Sequence, residues 1–321
     1  MHTDEIPIND SISEEAMKKI VMTAVIPAIH GCNLRCAGCI IGQRGEAAET
    51  VLTAEDYMRF VRDVLDMPEV ASFSLQGHEP LLPDAWPLGK ELLRIATEAR
   101  TPEGVGKRTL CVTNGTNLAC FADEIVHVTD NLSVSIDSHD PAIHDSSRGK
   151  VGAWHATVDG IQAVRDQFWD ETEVFQEYLG VVSILYPGKV DRLAQMPELL
   201  ESIGVTRWTV SPLISVSKDG YHGNAQPIRD SILELADKAS EHGVELFLGD
   251  DLRQLEHVED LYQVLSVAAV DGEHVVVRLS PDGSLSVGKE ILRAAQVSRK
   301  WDRIESPRQF LKRVVAERCP S

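Results

Sequence analysis

His30-Gly31-Cys32-Asn33-Leu34-Arg35-Cys36-Ala37-Gly38-Cys39 carries three of the six cysteines of a 321-residue chain within eight positions. The C-x₃-C-x₂-C run follows an apolar stretch, Ile20 to Ile29, that reads as a strand despite Pro27. Three thiolates on one short loop suit three corners of a [4Fe–4S] cube and leave one iron without a protein ligand. An open coordination position is what metal chemistry on a substrate needs, whereas a structural zinc site is closed by a fourth ligand. His30 could be that fourth ligand, so zinc is the alternative reading of the loop.

Asn33, Leu34 and Arg35 complete the wording CNLRC, and with it the loop resembles the radical S-adenosylmethionine (SAM) superfamily. The resemblance implies metal ligation by Cys32, Cys36 and Cys39, with the free iron chelated by SAM. It implies that one electron from a flavodoxin or ferredoxin, itself served by a separate reductase, cleaves SAM to methionine and a 5′-deoxyadenosyl radical. That radical then takes hydrogen from a substrate.

Composition sets outer bounds. A formal net charge of −19 argues against nucleic acid, whose phosphates need Lys and Arg. It suits either a solvated acidic surface or a cationic substrate. No apolar run is long enough to span a bilayer and the first fifteen residues are polar, so the expected location is cytoplasmic, with no membrane partner. Clustered cysteines fit a reducing compartment and metal binding better than a disulfide framework.

Along the chain, strand and helix signals alternate, and the chemistry-bearing residues fall where strands end. Residues 1–19 read as an arm. After an irregular segment with Gln43, Arg44 and Glu46, Thr53 and Asp56 open a helix with Tyr57, Phe60, Val61, Val64 and Leu65 on its apolar face. The strand 70–75 runs into Gln76-Gly77-His78-Glu79-Pro80, which stands where the superfamily has Gly-Gly-Glu-Pro. By that resemblance Gly77 and Glu79 meet the methionyl ammonium, and His78, replacing the second glycine, is either a substrate or proton-transfer residue or a solvated loop residue. Strand 108–112 ends at Thr113-Asn114-Gly115, similar to the superfamily's TNG. Strand 132–136 delivers Ser135 and Asp137, followed by His139, His144 and Arg148-Gly149. The resemblance places Ser135 and Asp137 near ribose and substrate and Arg148 near the SAM carboxylate, and His139 and His144 read as structural. Strand 174–185 is expected to turn Glu177 and Tyr178 into the barrel, and strand 207–210 ends at Ser211, near adenine by the same resemblance.

The implied fold is α/β: a partial (βα)₆ TIM-like barrel over residues 20–215, with its site at the C-terminal strand ends. Residues 216–321 form a short extension with a β-hairpin and a helix that completes or caps the barrel. Only Cys319 lies beyond residue 120, so four further thiolates for an auxiliary cluster are not available there. Cys111 and Cys120 read as small buried residues. A redox-neutral lyase or isomerase reaction follows more naturally than a net oxidation. The Gln76–Pro80 and Arg148-Gly149 wording resembles small carbohydrate-tailoring members of aminoglycoside and nucleoside antibiotic pathways, of the dehydratase or cytosylglucuronate decarboxylase type. The expected substrate is a sugar or sugar nucleoside, with Glu177, Asp250 and Asp251 open to amines or hydroxyls and Arg44, Arg207 and Arg253 to a carboxylate. A peptide maturase or activase is the rival, although a leader-binding domain would need more N-terminal length. An iron–sulfur sensing module without turnover is the non-enzymatic alternative.

Overall fold

The computed structural model describes residues 20–25, 31–39, 52–100, 104, 106–169, 171–186, 188–213, 226–249, 266–267, 275–280, 283–288 and 297–318. His30, Arg44, Asp250, Asp251, Arg253 and Cys319, all raised by the sequence, lie outside them.

Eight parallel strands follow one another in one sheet: β1 (Ile20–Val25), β2 (Val70–Gln76), β3 (Arg108–Thr113), β4 (Asn131–Ser135), β5 (Leu179–Leu185), β6 (Arg207–Pro212), β7 (Glu245–Leu248) and β8 (Ser266–Val267). Parallel neighbours need crossover segments, and the helices supply them. They are α1 (Ala54–Leu65), α2 (Trp86–Glu98), the short α3 (Ala122–Ile125), α4 (Pro141–Arg148), α5 (Ala153–Arg165), α6 (Thr172–Tyr178), α7 (Met196–Ile203) and α8 (Gln226–Glu241). This is the α/β architecture the sequence implied, with strands one to six in chain order and the sheet open rather than closed.

Beyond β8 the chain returns to the opposite side of the sheet. Strand β9 (Val275–Leu279) pairs in parallel with β1, and β10 (Ser284–Gly288) and β11 (Val297–Lys300) add antiparallel to it, before α9 (Pro307–Arg318). The expected hairpin is β9–β10, with Leu285 opposite Leu279.

Local chemistry explains the elements. Thr53 caps α1 as read: its hydroxyl accepts from the Asp56 amide and the Asp56 carboxylate accepts from the Thr53 amide, at 3.1 Å each. Tyr57, Phe60, Val61, Val64 and Leu65 are all buried against the sheet. In the core on the helix-facing side of the sheet, Trp208 Nε1 donates to Ser183 Oγ at 2.9 Å, and that hydroxyl donates to the Ile136 carbonyl. This buried polar chain ties β4, β5 and β6 together below their C-terminal ends.

One expected strand is shorter than read. Residues 172–178 are helical, and β5 begins at Leu179. Phe175 and Tyr178 are buried while Val174 is 48% exposed, a three-residue spacing that belongs to a helix. Glu177 is exposed, and the Tyr178 hydroxyl donates to the Ile125 carbonyl at 3.3 Å. Both lie at the N-terminal end of β5, the end away from the site. Arg207 is at the same end of β6, bonded to the Glu177 carbonyl at 2.9 Å and set over the Phe247 ring. The barrel-interior role expected of Glu177 and Tyr178 and the carboxylate-binding role considered for Arg207 are therefore corrected.

Candidate active site

Because the strands are parallel, the residues that follow β2, β3, β4, β5 and β6 emerge at one end of the sheet. The cysteine loop lies across that end and is held by backbone. Arg35 N donates to the Arg148 carbonyl and Ala37 N to the Ser147 carbonyl, both at 3.0 Å. Helix α4 closes on Gly149 at φ +66°, where a Cβ would collide with the Arg35 carbonyl oxygen. The sequence pair Arg148-Gly149 thus has two physical jobs. The glycine lets helix and loop touch, and the arginine reaches the Cys36 thiol.

Arg148 is buried and hydrogen-bonded to Cys36, and its Nη2 donates to Asp137 Oδ1 at 2.7 Å. Among the described residues its Nε is buried without a partner. Asp137 also accepts from Ser147 Oγ at 2.7 Å and from the Ile184 amide at 3.2 Å, so one carboxylate joins β4, β5 and α4. The Asp137 amide donates to His144 Nδ1 at 3.2 Å. Burial, then the Arg148 charge, pushes the His144 imidazole down to about 4, which keeps it neutral as this acceptor role requires. The structural reading of His144 therefore fits its geometry.

Asn114 is the second hub. Its Nδ2 donates to Asn33 Oδ1 at 3.0 Å and faces the Cys32 sulfur at 3.8 Å, while its Oδ1 accepts from Thr116. Asn33 Nδ2 in turn donates to Thr116 Oγ1 at 2.7 Å. The Thr113-Asn114-Gly115 turn is thus wired to the loop through the second residue of CNLRC. Burial pushes the Cys32 and Cys36 thiols up; the Leu34 backbone and then the Asn114 amide pull the first back, and the Arg148 charge and hydrogen bond pull the second back.

Glu79 lies differently from expectation. It is fully buried; one oxygen accepts from the Leu81 amide at 2.8 Å and Thr113 Oγ1 at 2.7 Å, the other from the Asn114 amide at 2.7 Å. Burial raises its pKa against these donors. Its oxygens are turned to the chain's own donors, so it fixes the end of β2 to the end of β3. Gly77 (φ +84°) and His78 (φ +47°) are both left-handed, so His78 supplies the backbone shape a second glycine would give. Its half-buried imidazole is pushed down by burial.

Ser135 is half-buried at the end of β4. Ser211, at the end of β6, is approached so closely by Gly249 that a Cβ there would collide with its hydroxyl. The residues the sequence reading missed are Tyr186, Leu213, Asn33 and Ser147. Tyr186 directly follows β5, and its hydroxyl would lie 3.5 Å from a Cβ at Gly38, with Leu213 closer still. Its position after a strand end was the available signal. Cys111 is buried as expected, whereas Cys120 is exposed.

Among the described residues no three His, Cys, Asp or Glu side chains converge as ligands of a single ion would. Three thiols on one loop, each able to meet a different metal corner, with an amide and a guanidinium directed at two of the sulfurs, fit a cluster better than one zinc.

A parallel sheet with a three-cysteine loop across its C-terminal end defines a class, and comparison with known proteins agrees. Residues 26–184, just under half of the chain, match the family model described as Radical SAM superfamily. Its members bind a [4Fe–4S] cluster and S-adenosylmethionine. The AdoMet-dependent heme synthase of Methanosarcina barkeri is 34% identical over 142 residues, covering 42% of this chain and 36% of that protein. The chain thus spans little more than a third of that relative. Among solved structures, anSMEcpe with bound AdoMet and Cp18Cys peptide has a TM-score of 0.60 at 13% identity, over 91% of this chain and 80% of that one. Streptococcus suis SuiB bound to precursor peptide SuiA has a TM-score of 0.57 at 12% identity, over 87% and 62%. Among the described residues no helix is long and apolar enough to cross a membrane.

Proposed function

We propose that this chain is a radical SAM enzyme of lyase or isomerase type. In this reading it takes hydrogen from a sugar or sugar nucleoside and promotes a redox-neutral decarboxylation, dehydration or epimerisation in secondary metabolism. The observation that carries the enzymatic part is the buried Asp137–Arg148–Cys36 and Asn114–Cys32 wiring. Cys32, Cys36 and Cys39 would hold the cluster, and when bound, cluster and SAM supply a one-electron route to a carbon radical that takes hydrogen from the substrate. Asn114 and Arg148 favour the thiolate forms, Asp137 balances the buried guanidinium, and its unpartnered Nε offers a donor to a carboxylate. His78, left neutral by burial, can accept or return a proton at its imidazole. Tyr186 and Leu213 cover the loop and exclude water.

The sugar reading is supported by the Gln76–Pro80 wording and by three half-buried polar residues at strand ends, His78, Ser135 and Tyr186. The test is anaerobic reconstitution, dithionite reduction with SAM, and assay of 5′-deoxyadenosine. Wild type should release it, and Cys36→Ala should fall to background. Aminoglycosides and nucleoside uronates, screened in deuterated solvent, should then show label uptake. Uptake into added peptides alone would transfer the substrate to the peptide class, and no release from protein with a full cluster would sink the enzymatic reading.

A further inference from the structure

We propose that the helix-free face of the sheet selects an acidic sugar, with Arg278 of β9 holding its carboxylate and the hydroxyls of Ser74, Ser133 and Thr209 meeting its ring hydroxyls. This deepens the sugar reading above and rests on it.

Strands β1 to β8 lie side by side in chain order, and right-handed crossovers between such strands put their helices on one face. Leu132, Val134, Val181, Trp208, Val210 and Leu246 point to that face and are buried. Parallel sheets are usually covered on both faces, so their strands run apolar throughout. Here burial alternates along β3, β4, β5 and β7, and the residues between the buried ones are half-buried or exposed. Ser133 and Ser135 stand on this second face, and Thr209 joins them through Val182, which lies between Ser135 and Thr209 in register. Ser74, flanked by buried Phe73 and Leu75, belongs to it too, because it lies beside Leu110.

The two faces treat their hydroxyls differently. On the helix side Ser183, Thr109 and Thr113 are bonded to the Ile136 carbonyl, Asp130 and Glu79 in turn. On the free face the hydroxyls of Ser74, Ser133 and Thr209 have no partner among the described residues, although Ser74 is only 4% exposed. A buried hydroxyl left unbonded costs about 1–3 kcal/mol, which a ligand with hydroxyls of its own removes. Leu110, Val112 and Val182 share the face, an apolar ground with a few placed polar groups that suits the C–H and O–H pattern of a sugar ring. The charge comes from the extension. Register sets Ser74 beside Thr23 and Thr23 beside Arg278, so Ser74 and Arg278 are two strands, about 10 Å, apart. Val277 and Leu279 are buried with Leu285 on the helix side, so Arg278 between them turns to the free face. It is the fourth of five residues in β9, which runs parallel to β1 and so ends at the cysteine-loop end of the sheet. Arg108 and Arg207 open β3 and β6 at the other end, and Arg207 is engaged there by Asn131 and the Glu177 carbonyl. A guanidinium fork meets a carboxylate with two parallel hydrogen bonds and repels an ammonium group.

The experiment uses the full reconstituted chain with SAM and isothermal titration calorimetry. It compares cytosylglucuronate with cytosylglucose, which has a hydroxymethyl group in place of the carboxylate. Wild type should bind the acid about tenfold more tightly, a comparison that needs no variant to fold. Arg278→Gln should lose about tenfold for the acid and nothing for the neutral sugar, and Arg278→Lys should recover part of that loss, restoring the charge without the fork. Ser74→Ala should weaken both sugars about threefold while thermal stability stays level or rises, as it would not for a hydroxyl that holds the fold. Equal affinity of wild type for the two sugars, or a preference for the acid that survives in Arg278→Gln, would overturn the proposal and leave the sugar reading standing. Binding of neither sugar by wild type that still releases 5′-deoxyadenosine on dithionite reduction would overturn the sugar reading, and the proposal with it.

Discussion

At Gly149 the chain meets two constraints together: a left-handed backbone and the carbonyl of Arg35 where a side chain would begin. Gly152 is also left-handed, φ +82°, but a Cβ there meets nothing within 4 Å. Gly152→Ala should therefore cost about 1–2 kcal/mol, the backbone penalty alone. Gly149→Ala should cost clearly more and should also lower the iron retained after reconstitution, because the loop must shift; thermal unfolding with an iron assay separates the two. His78 also carries a left-handed backbone, so His78→Gly should leave stability unchanged or raise it by about 1 kcal/mol. Turnover lost with SAM binding intact would then mark the imidazole as chemical. A pH effect belongs to His144. Its folded pKa, about 4, lies below the ordinary histidine value, so between roughly 6.5 and 4 the unfolded chain binds a proton that the folded one does not. Stability is full above that window and falls through it as pH drops, by up to about 3 kcal/mol. Urea titrations from pH 7.5 to 4.5 should show this slope in wild type and a weaker one in His144→Asn.

The start of β5 shows what an element owes to context. Residues 174–185 carry enough β-favouring side chains to read as one strand, yet the three-residue step between buried Phe175 and Tyr178 makes the first part helix. Content pointed one way and spacing the other, and spacing won because the Phe168 ring packs on both side chains. Tyr178→Phe should then cost about 1 kcal/mol for its one hydrogen bond. It should leave dithionite-driven SAM cleavage untouched, as should Glu177→Ala; a severe activity loss in either would return these residues to the site. Elsewhere local signals sufficed. The Thr53–Asp56 cap, the apolar face of α1 and the ends of β2, β3 and β4 were legible because each is specified within a few residues. The site was legible only in part. Which residues stand at strand ends can be read in order, but that Asn114 bonds Asn33, or that Glu79 turns inward, depends on side-chain choices between segments some 80 and 35 residues apart.

At the scale of the molecule, the least legible feature is where the C-terminal strands go. A hairpin near residue 280 is written in its turn, but nothing local says that β9 pairs with β1, Ile20 opposite Val275. That pairing closes a loop of more than two hundred residues and is rewarded only once both partners are formed. It makes the extension part of one core rather than an addition to a finished barrel. Trp301 packs edge-on against Phe60 at 5.0 Å, with the Arg59 guanidinium 4.8 Å from its ring, and Phe310, Leu311 and Val314 of α9 are buried on the α1 side. Removing residues 216–321 would bare the β1 edge and one apolar flank of α1 together. Residues 1–215 alone should therefore bind a hydrophobic dye, aggregate, and lack the cooperative thermal transition of the full chain. A sharp transition with slow amide exchange in β1 would show instead that the barrel stands without its extension. The β1–β9 pairing would then be an edge contact and not a condition of the fold.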